Sequence, residues 1–118
     1  MIRVFALVAY PLGMALGQIM FKLAAVQASE FRGAPLPRLA LELALNRWFL
    51  AAVLLYGVLS AAWVWILSDM PLSSAYPFVA LAFVITPLLA FWCFGETLTW
   101  SYAVGLVLVV SGLLFVLQ

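Results

Sequence analysis

Met14, Gln18 and Lys22 are the residues whose types and spacing could do chemistry in this chain. They are spaced i, i+4, i+8, so on a helix they stack along one face. An amide and an ammonium on that face could bind a polar, anionic group such as a phosphate. Two simpler interpretations stay open: Gln18 forms a hydrogen bond between helices, and Lys22 is a basic anchor that sets topology.

The depth of Lys22 is compatible with binding phosphate. It lies about 30 Å along the helix from Ile2, near the far face of a bilayer. Its side chain can reach the headgroup level there, where lipid phosphates lie, without the cost of about 2.5–3.5 kcal/mol for a charge at the bilayer centre.

A second stripe, of small residues, runs beside this polar face. Gly13 and Gly17 form a small-xxx-small pair, at which another helix can approach closely. The segment therefore pairs a polar surface with a close-packing surface.

The composition of the 118-residue chain indicates an all-α integral membrane protein. It is 69% hydrophobic and 8% charged, and its mean hydropathy is +1.29, whereas soluble domains are about 25% charged. The net charge of +1 offers no basic patch for nucleic acid. With no histidine, one cysteine (Cys93) and four scattered acids, we expect no enzyme activity, no metal and no cofactor.

Four apolar segments are each near the roughly 20 residues that cross a bilayer as a helix. We expect one four-helix transmembrane domain over residues 1–118, with no soluble domain attached. The first segment is too long for a signal peptide, so we interpret it as a retained span. The expected spans are about Ile2–Ala25, Trp48–Ser68, Ser74–Phe94 and Leu98–Leu117.

The first connection, Val26 to Arg47, is the only long one. Beyond Pro37 it carries Arg38, Glu42 and Asn46 at i, i+4, i+8 among leucines. This pattern predicts a short amphipathic helix lying in the membrane interface. The alternative is an extension of the second span.

The second and third spans carry further candidates. Trp63 and Trp65 are expected in the interfacial aromatic belt. Ser73 or Ser74 could cap the third span, and Pro87 should bend it. Tyr76, an aromatic and polar residue near the start of that helix, is favoured as a binding residue.

The fourth span presents a small-residue face suited to helix–helix contact. This face favours a dimer interface, and a contact within the subunit is the alternative. Four helices enclose little volume, so one copy can hardly surround a substrate. The face contains Ser101, Gly105, Leu108 and Gly112.

Basic residues predict the orientation. The side of the long connection carries most of them, and the opposite side carries Arg3 and the amino terminus. The positive-inside rule then places the long connection in the cytoplasm and both termini outside. The basic residues on the side of the connection are Lys22, Arg32, Arg38 and Arg47.

Four short helices in 118 residues resemble the small multidrug resistance (SMR) family of the drug/metabolite transporter superfamily. Phe94 to Trp100, followed by Gly105 and Val110 to Gly112, resembles the closing turn and last helix of EamA-type transporters. Gly17 to Lys22 and Leu72 to Pro77 more specifically resemble the flippase subunits for aminoarabinose linked to undecaprenyl phosphate.

The resemblance implies a dimeric SMR-like subunit that flips a polyprenyl-phosphate-linked sugar across the bacterial inner membrane, among membrane lipids. The partner would be a second copy or a paralogous four-helix subunit. Lys22 would meet the phosphate, and Gln18, Tyr76 and Ser74 the sugar or nearby backbone. A drug exporter with a different coupling site and a non-transporting subunit of a glycosyltransferase system are the alternatives.

The chain departs from the multidrug branch at two positions. The essential glutamate of that branch aligns with Met14, and its third-helix tryptophan aligns with Val79. Without the carboxylate, proton/drug antiport by the mechanism of that branch is not expected. The absence of acids at membrane depth agrees with this conclusion.

Overall fold

A computed structural model describes all residues, 1–118, and is entirely helical apart from turns. A 3₁₀ turn, Ser29–Phe31, follows the first helix. The six α-helices are α1 (Ile2–Ala28), α2 (Leu36–Leu45), α3 (Arg47–Leu67), α4 (Leu72–Val79), α5 (Ala82–Phe94) and α6 (Trp100–Val116).

The helices have the lengths and compositions of a membrane protein. Three segments are long and apolar enough to cross a bilayer: residues 2–31, 47–67 and 72–94. The fourth apolar helix, α6, has 17 residues, or about 25 Å of helix against about 30 Å of hydrocarbon. Only 8 of the 118 residues are buried, so most large apolar side chains lie on the surface, where lipid can cover them.

Helix α1 is the centre of the bundle and packs against α3, α4 and α5. The expected close approach at its glycines is confirmed. A Cβ built on Gly13 would lie 2.8 Å from Leu59 Cδ2, and one built on Gly17 would lie 2.4 Å from Tyr56 Cε2. The missing side chains of these two glycines therefore make room for α3.

The long connection forms a separate helix rather than extending the second span. Asn46 is extended, with φ −72° and ψ 123°, and separates α2 from α3. Its Oδ1 accepts hydrogen bonds from the amides of Trp48 at 2.9 Å and Phe49 at 3.2 Å, which caps α3. Its Nδ2 donates to Gln27 Oε1 at 2.9 Å and ties the start of α3 to the end of α1.

The third span differs from the sequence prediction in two ways. Its N-cap is Pro71, with no side-chain capping bond, so Ser73 and Ser74 lie inside the first turn rather than at the cap. The helix is interrupted at Ala80 and Leu81, and α5 continues through Pro87. The amides of Ala80 and Leu81 donate hydrogen bonds to the carbonyls three residues earlier, those of Pro77 and Phe78. Hydrogen bonds of this spacing are typical of 3₁₀ geometry.

The interfacial belt stays a prediction, but Trp63 packs inside the bundle. Its ring stacks on Tyr10, with centroids 4.8 Å apart, and packs against a buried cluster of Leu7, Ile66 and Ala75. Trp65 is 45% exposed, and the Arg3 guanidinium lies 5.7 Å from its ring centroid.

Helix α6 is the least packed element. It contacts α5 lightly and has no buried residue. A Cβ on Gly105 or Gly112 would meet nothing within 4 Å. The small-residue face therefore makes no close contact within the chain.

Candidate functional site

A groove of about 410 Å³ lies between α1, α4, α5 and α6. Its polar groups are one amide and three hydroxyls, and no charged side chain lines it. These groups belong to Gln18, Tyr76, Thr86 and Tyr102; the apolar lining is Met14, Val79, Ala82, Phe83 and Pro87. A surface of this kind can hydrogen-bond a neutral polar group while an apolar chain lies beside it.

Gln18 is fixed in this groove by α3. Its Nε2 donates a hydrogen bond to the Tyr56 hydroxyl at 2.8 Å, and that hydroxyl donates to the Met14 carbonyl at 3.2 Å. The interhelical hydrogen bond foreseen as the simpler interpretation is therefore present. The same residue also lines the groove, so the bond orients its amide for a ligand.

Sequence reasoning did not assign a role to Tyr56. Its ring lies over Gly17 and stacks on Phe21 at 5.4 Å between centroids. Thr86 and Tyr102 were also missed as groove residues. The sequence does show that these polar residues lie at membrane depth. Whether they face the same groove depends on how each helix is rotated about its axis, which the sequence does not show.

Lys22 lies outside the groove lining, one turn beyond Gln18 along α1. Its Nζ is 3.5 Å from Glu96 Oε1, in the connection between α5 and α6, and both side chains are about half exposed. The side chain is thus at the end of the groove, and it already has an anionic partner.

Ser74 lies at the opposite end of the bundle. It is exposed in the first turn of α4, which follows Asp69, and Asp69 pairs with Arg3 at the start of α1. Gln18 and Tyr76 are therefore the two predicted binding residues that the structure brings together. The binding roles of all four residues stay predictions.

A second cavity, of about 360 Å³, lies between the end of α1, the 3₁₀ turn that follows it and the end of α2. Glu30 and Glu42 line it together with Gln27 and Asn46. No group of three histidine, cysteine or carboxylate residues is placed to hold a metal ion.

Comparison with known proteins adds a family resemblance to this geometry. Over 68 residues the chain is 41% identical to a protein of Serratia proteamaculans described as a probable 4-amino-4-deoxy-L-arabinose-phosphoundecaprenol flippase subunit ArnE, covering 58% of this chain and 59% of the relative. A Sodalis glossinidius protein of the same description is 35% identical over 68 residues, covering 58% and 61%. The chain is similar to flippase subunits.

The second subunit type of the same system also matches. A probable flippase subunit ArnF of Erwinia tasmaniensis is 37% identical over 84 residues, covering 70% of this chain and 60% of the relative. These matches confirm the resemblance read from the motifs. The chain spans about three fifths of the length of the curated relatives it matches. No family model matches the chain, and no solved structure matches it.

Proposed function

We propose that the chain is one subunit of a membrane transporter that flips a polyprenyl-phosphate-linked sugar, with undecaprenyl as the lipid, across the bacterial inner membrane. The observation that carries the proposal is the groove: it is polar but uncharged, and a half-exposed ammonium lies at one end. The descriptions of the relatives name an amino sugar joined to phosphoundecaprenol, a molecule with polar, anionic and apolar parts.

In this proposal the lipid tail stays in the bilayer while the headgroup moves along the groove. Lys22 binds the phosphate, and Gln18 and Tyr76 hydrogen-bond the sugar. Ser74 lies at the opposite end from Lys22, so it contacts the headgroup at a different stage of the crossing. Met14 supplies no carboxylate to the groove, so the groove offers no anionic partner to a cationic drug.

The transporter is proposed to be a dimer of four-span subunits, with α6 as the fourth span. Support comes from the light packing of α6 and from the open space at Gly105 and Gly112. Ser101 lies on the same face and is exposed. The partner is either a second copy or a paralogous subunit, and residues 1–118 form one transmembrane domain.

Reconstituted protein tests the proposal. Proteoliposomes receive a labelled undecaprenyl-phosphate sugar in one leaflet, and its accessibility to a membrane-impermeant reagent is followed. We expect sidedness to equilibrate faster than in protein-free liposomes, for this chain alone or with a paralogous subunit. Uptake of a quaternary ammonium instead would indicate a drug exporter, and neither activity would favour a non-transporting subunit.

A further inference from the structure

The contact between Lys22 and Glu96 links α1 to the connection between α5 and α6. The two side chains form the one ion pair at this end of the bundle; the other pair, Arg3 with Asp69, lies at the opposite end. One ion pair thus joins the central helix to the connection that leads into a lightly packed helix.

This ion pair lies at the end of the groove. Gln18, which lines the groove, is one helical turn from Lys22, about 6 Å along the axis. On the other side Tyr102 lines the groove from the first turn of α6, six residues after Glu96. A headgroup held in the groove would therefore bring its phosphate towards the pair.

The pair has the features of an exchangeable contact. Its 3.5 Å separation exceeds the roughly 2.7–2.9 Å of a strong charge-assisted hydrogen bond, and both partners are about half exposed to solvent. Exposed pairs of this kind are weak. A phosphate offers more acceptor oxygens and more charge than a carboxylate, so it competes well for the ammonium.

Glu96 can leave Lys22 without disturbing either flanking helix. Gly95 ends α5 in the left-handed conformation, with φ +64°, which a glycine adopts without strain. Thr99 caps α6 by accepting a hydrogen bond from the Tyr102 amide at 3.2 Å. The ends of both helices are therefore fixed independently of the Glu96 side chain.

We propose that Glu96 is a displaceable counter-charge, which holds Lys22 while the groove is empty and is released when a lipid phosphate binds Lys22. This inference rests on the proposed function and adds a regulatory step to it. Glu96 is a positioning residue that acts through Lys22. When the groove is occupied and Glu96 is released, the ion pair no longer holds the connection that leads into α6 to α1.

Binding of undecaprenyl phosphate to the full chain in phosphatidylcholine nanodiscs tests the competition. Glu96→Gln removes the competing charge, so we expect the affinity for undecaprenyl phosphate to rise about two- to fivefold. This change corresponds to the free energy of an exposed ion pair. Glu42→Gln is the matched control, because it removes a carboxylate at the same end that does not pair with Lys22; its affinity should match the wild type. Unchanged or weaker binding by folded Glu96→Gln protein overturns the proposal.

A label on the native Cys93, which is exposed near the end of α5, gives an independent readout. Undecaprenyl phosphate should shift the label signal in the wild type, whereas Glu96→Gln should show the shifted signal before lipid is added. A purely structural ion pair predicts no lipid-dependent shift. If inorganic phosphate at the same concentration produces the full shift, the ligand is the free anion and the lipid part of the proposal is wrong.

These outcomes separate this inference from the proposed function. Wild-type protein that shows the exchange but flips no lipid-linked sugar would disprove the flippase proposal and leave the exchange standing. If the wild type flips the sugar, but Glu96→Gln binds no more tightly and lipid causes no label shift in the wild type, the exchange alone is overturned.

Discussion

At the scale of residues, the proposed substrate contacts divide into a fixed group and a charged group. Gln18 is held by Tyr56, which is itself bonded to the Met14 carbonyl, so its amide is preorganised. Lys22 is half exposed and shares its charge with Glu96. A preorganised amide suits recognition of a hydroxyl-bearing sugar, whereas a half-exposed ammonium suits a phosphate that must enter and leave.

The charge of Lys22 should matter more than its shape. A charge-assisted contact between the half-exposed ammonium and phosphate is worth about 1.5–3 kcal/mol, or roughly 10- to 150-fold in affinity. Lys22→Met keeps the stem and removes the charge, so it should abolish most flipping in proteoliposomes. Lys22→Arg keeps the charge in another geometry and should retain part of the flipping.

Glu96→Gln is the control for Lys22→Met, because it breaks the same ion pair and leaves the ammonium in place. Flipping that is retained by Glu96→Gln but lost in Lys22→Met would assign the effect to the ammonium rather than to the broken ion pair. Normal flipping by correctly inserted Lys22→Met protein would contradict the phosphate role and leave Lys22 as an anchor.

At the scale of elements, the glycines of α1 and α3 have opposite surroundings. Gly17 lies under the Tyr56 ring, whereas Gly57 meets nothing within 4 Å. The Tyr56 ring cannot easily move away, because its hydroxyl has partners on α1. The close α1–α3 contact therefore depends on the glycines of α1 and not on Gly57 of α3.

Gly17→Ala and Gly57→Ala form a matched pair of stability variants. Gly17→Ala should destabilise the protein by about 1–3 kcal/mol, because the methyl overpacks against Tyr56. Gly57→Ala should be neutral or stabilise it by up to about 1 kcal/mol, because alanine favours the helix. Thermal unfolding in detergent measures both, and equal shifts would contradict the close α1–α3 packing.

Helix α6 carries the proposed dimer contact. Gly105→Leu together with Gly112→Leu should fill the close-packing face and shift the protein from dimer to monomer in detergent, with loss of flipping. Gly57→Leu is the control, since it adds the same side chain in open space on α3. An unchanged size and activity for the α6 variant would place the interface elsewhere.

How much of this fold the sequence predicts depends on how far apart in the chain the interacting residues lie. The Gly13 and Gly17 stripe and the helix at 36–45 depend on local spacing, and both were predicted. The pairing of Lys22 with Glu96 depends on the path of a distant connection. The interruption at Ala80 and Leu81 depends on how α4 and α5 pack on α1. Local periodicity carries no information on either.

At the scale of the whole molecule, the two ends of the bundle differ in basic charge. Arg3 pairs with Asp69 at one end, and Lys22 pairs with Glu96 at the other. The remaining basic side chains, Arg32, Arg38 and Arg47, follow α1 and lie with the Lys22 end. Acidic partners contribute little to insertion, so the count of basic residues sets the orientation.

This charge asymmetry predicts that both termini face the periplasm and that the connection between α1 and α3 faces the cytoplasm. In a background without the native thiol, Cys93→Ser, a cysteine appended after Gln118 should react with an impermeant maleimide in intact cells. Gly33→Cys should react only after permeabilisation; Gly33 has open space around it, so protein packing does not shield it. The reverse pattern would contradict the orientation, and equal labelling of both sites would mean that the basic residues are too few to prevent dual insertion.

A single orientation also determines how subunits can assemble. Two copies of this chain can then form only a parallel dimer. An antiparallel dimer requires a paralogous subunit inserted the other way.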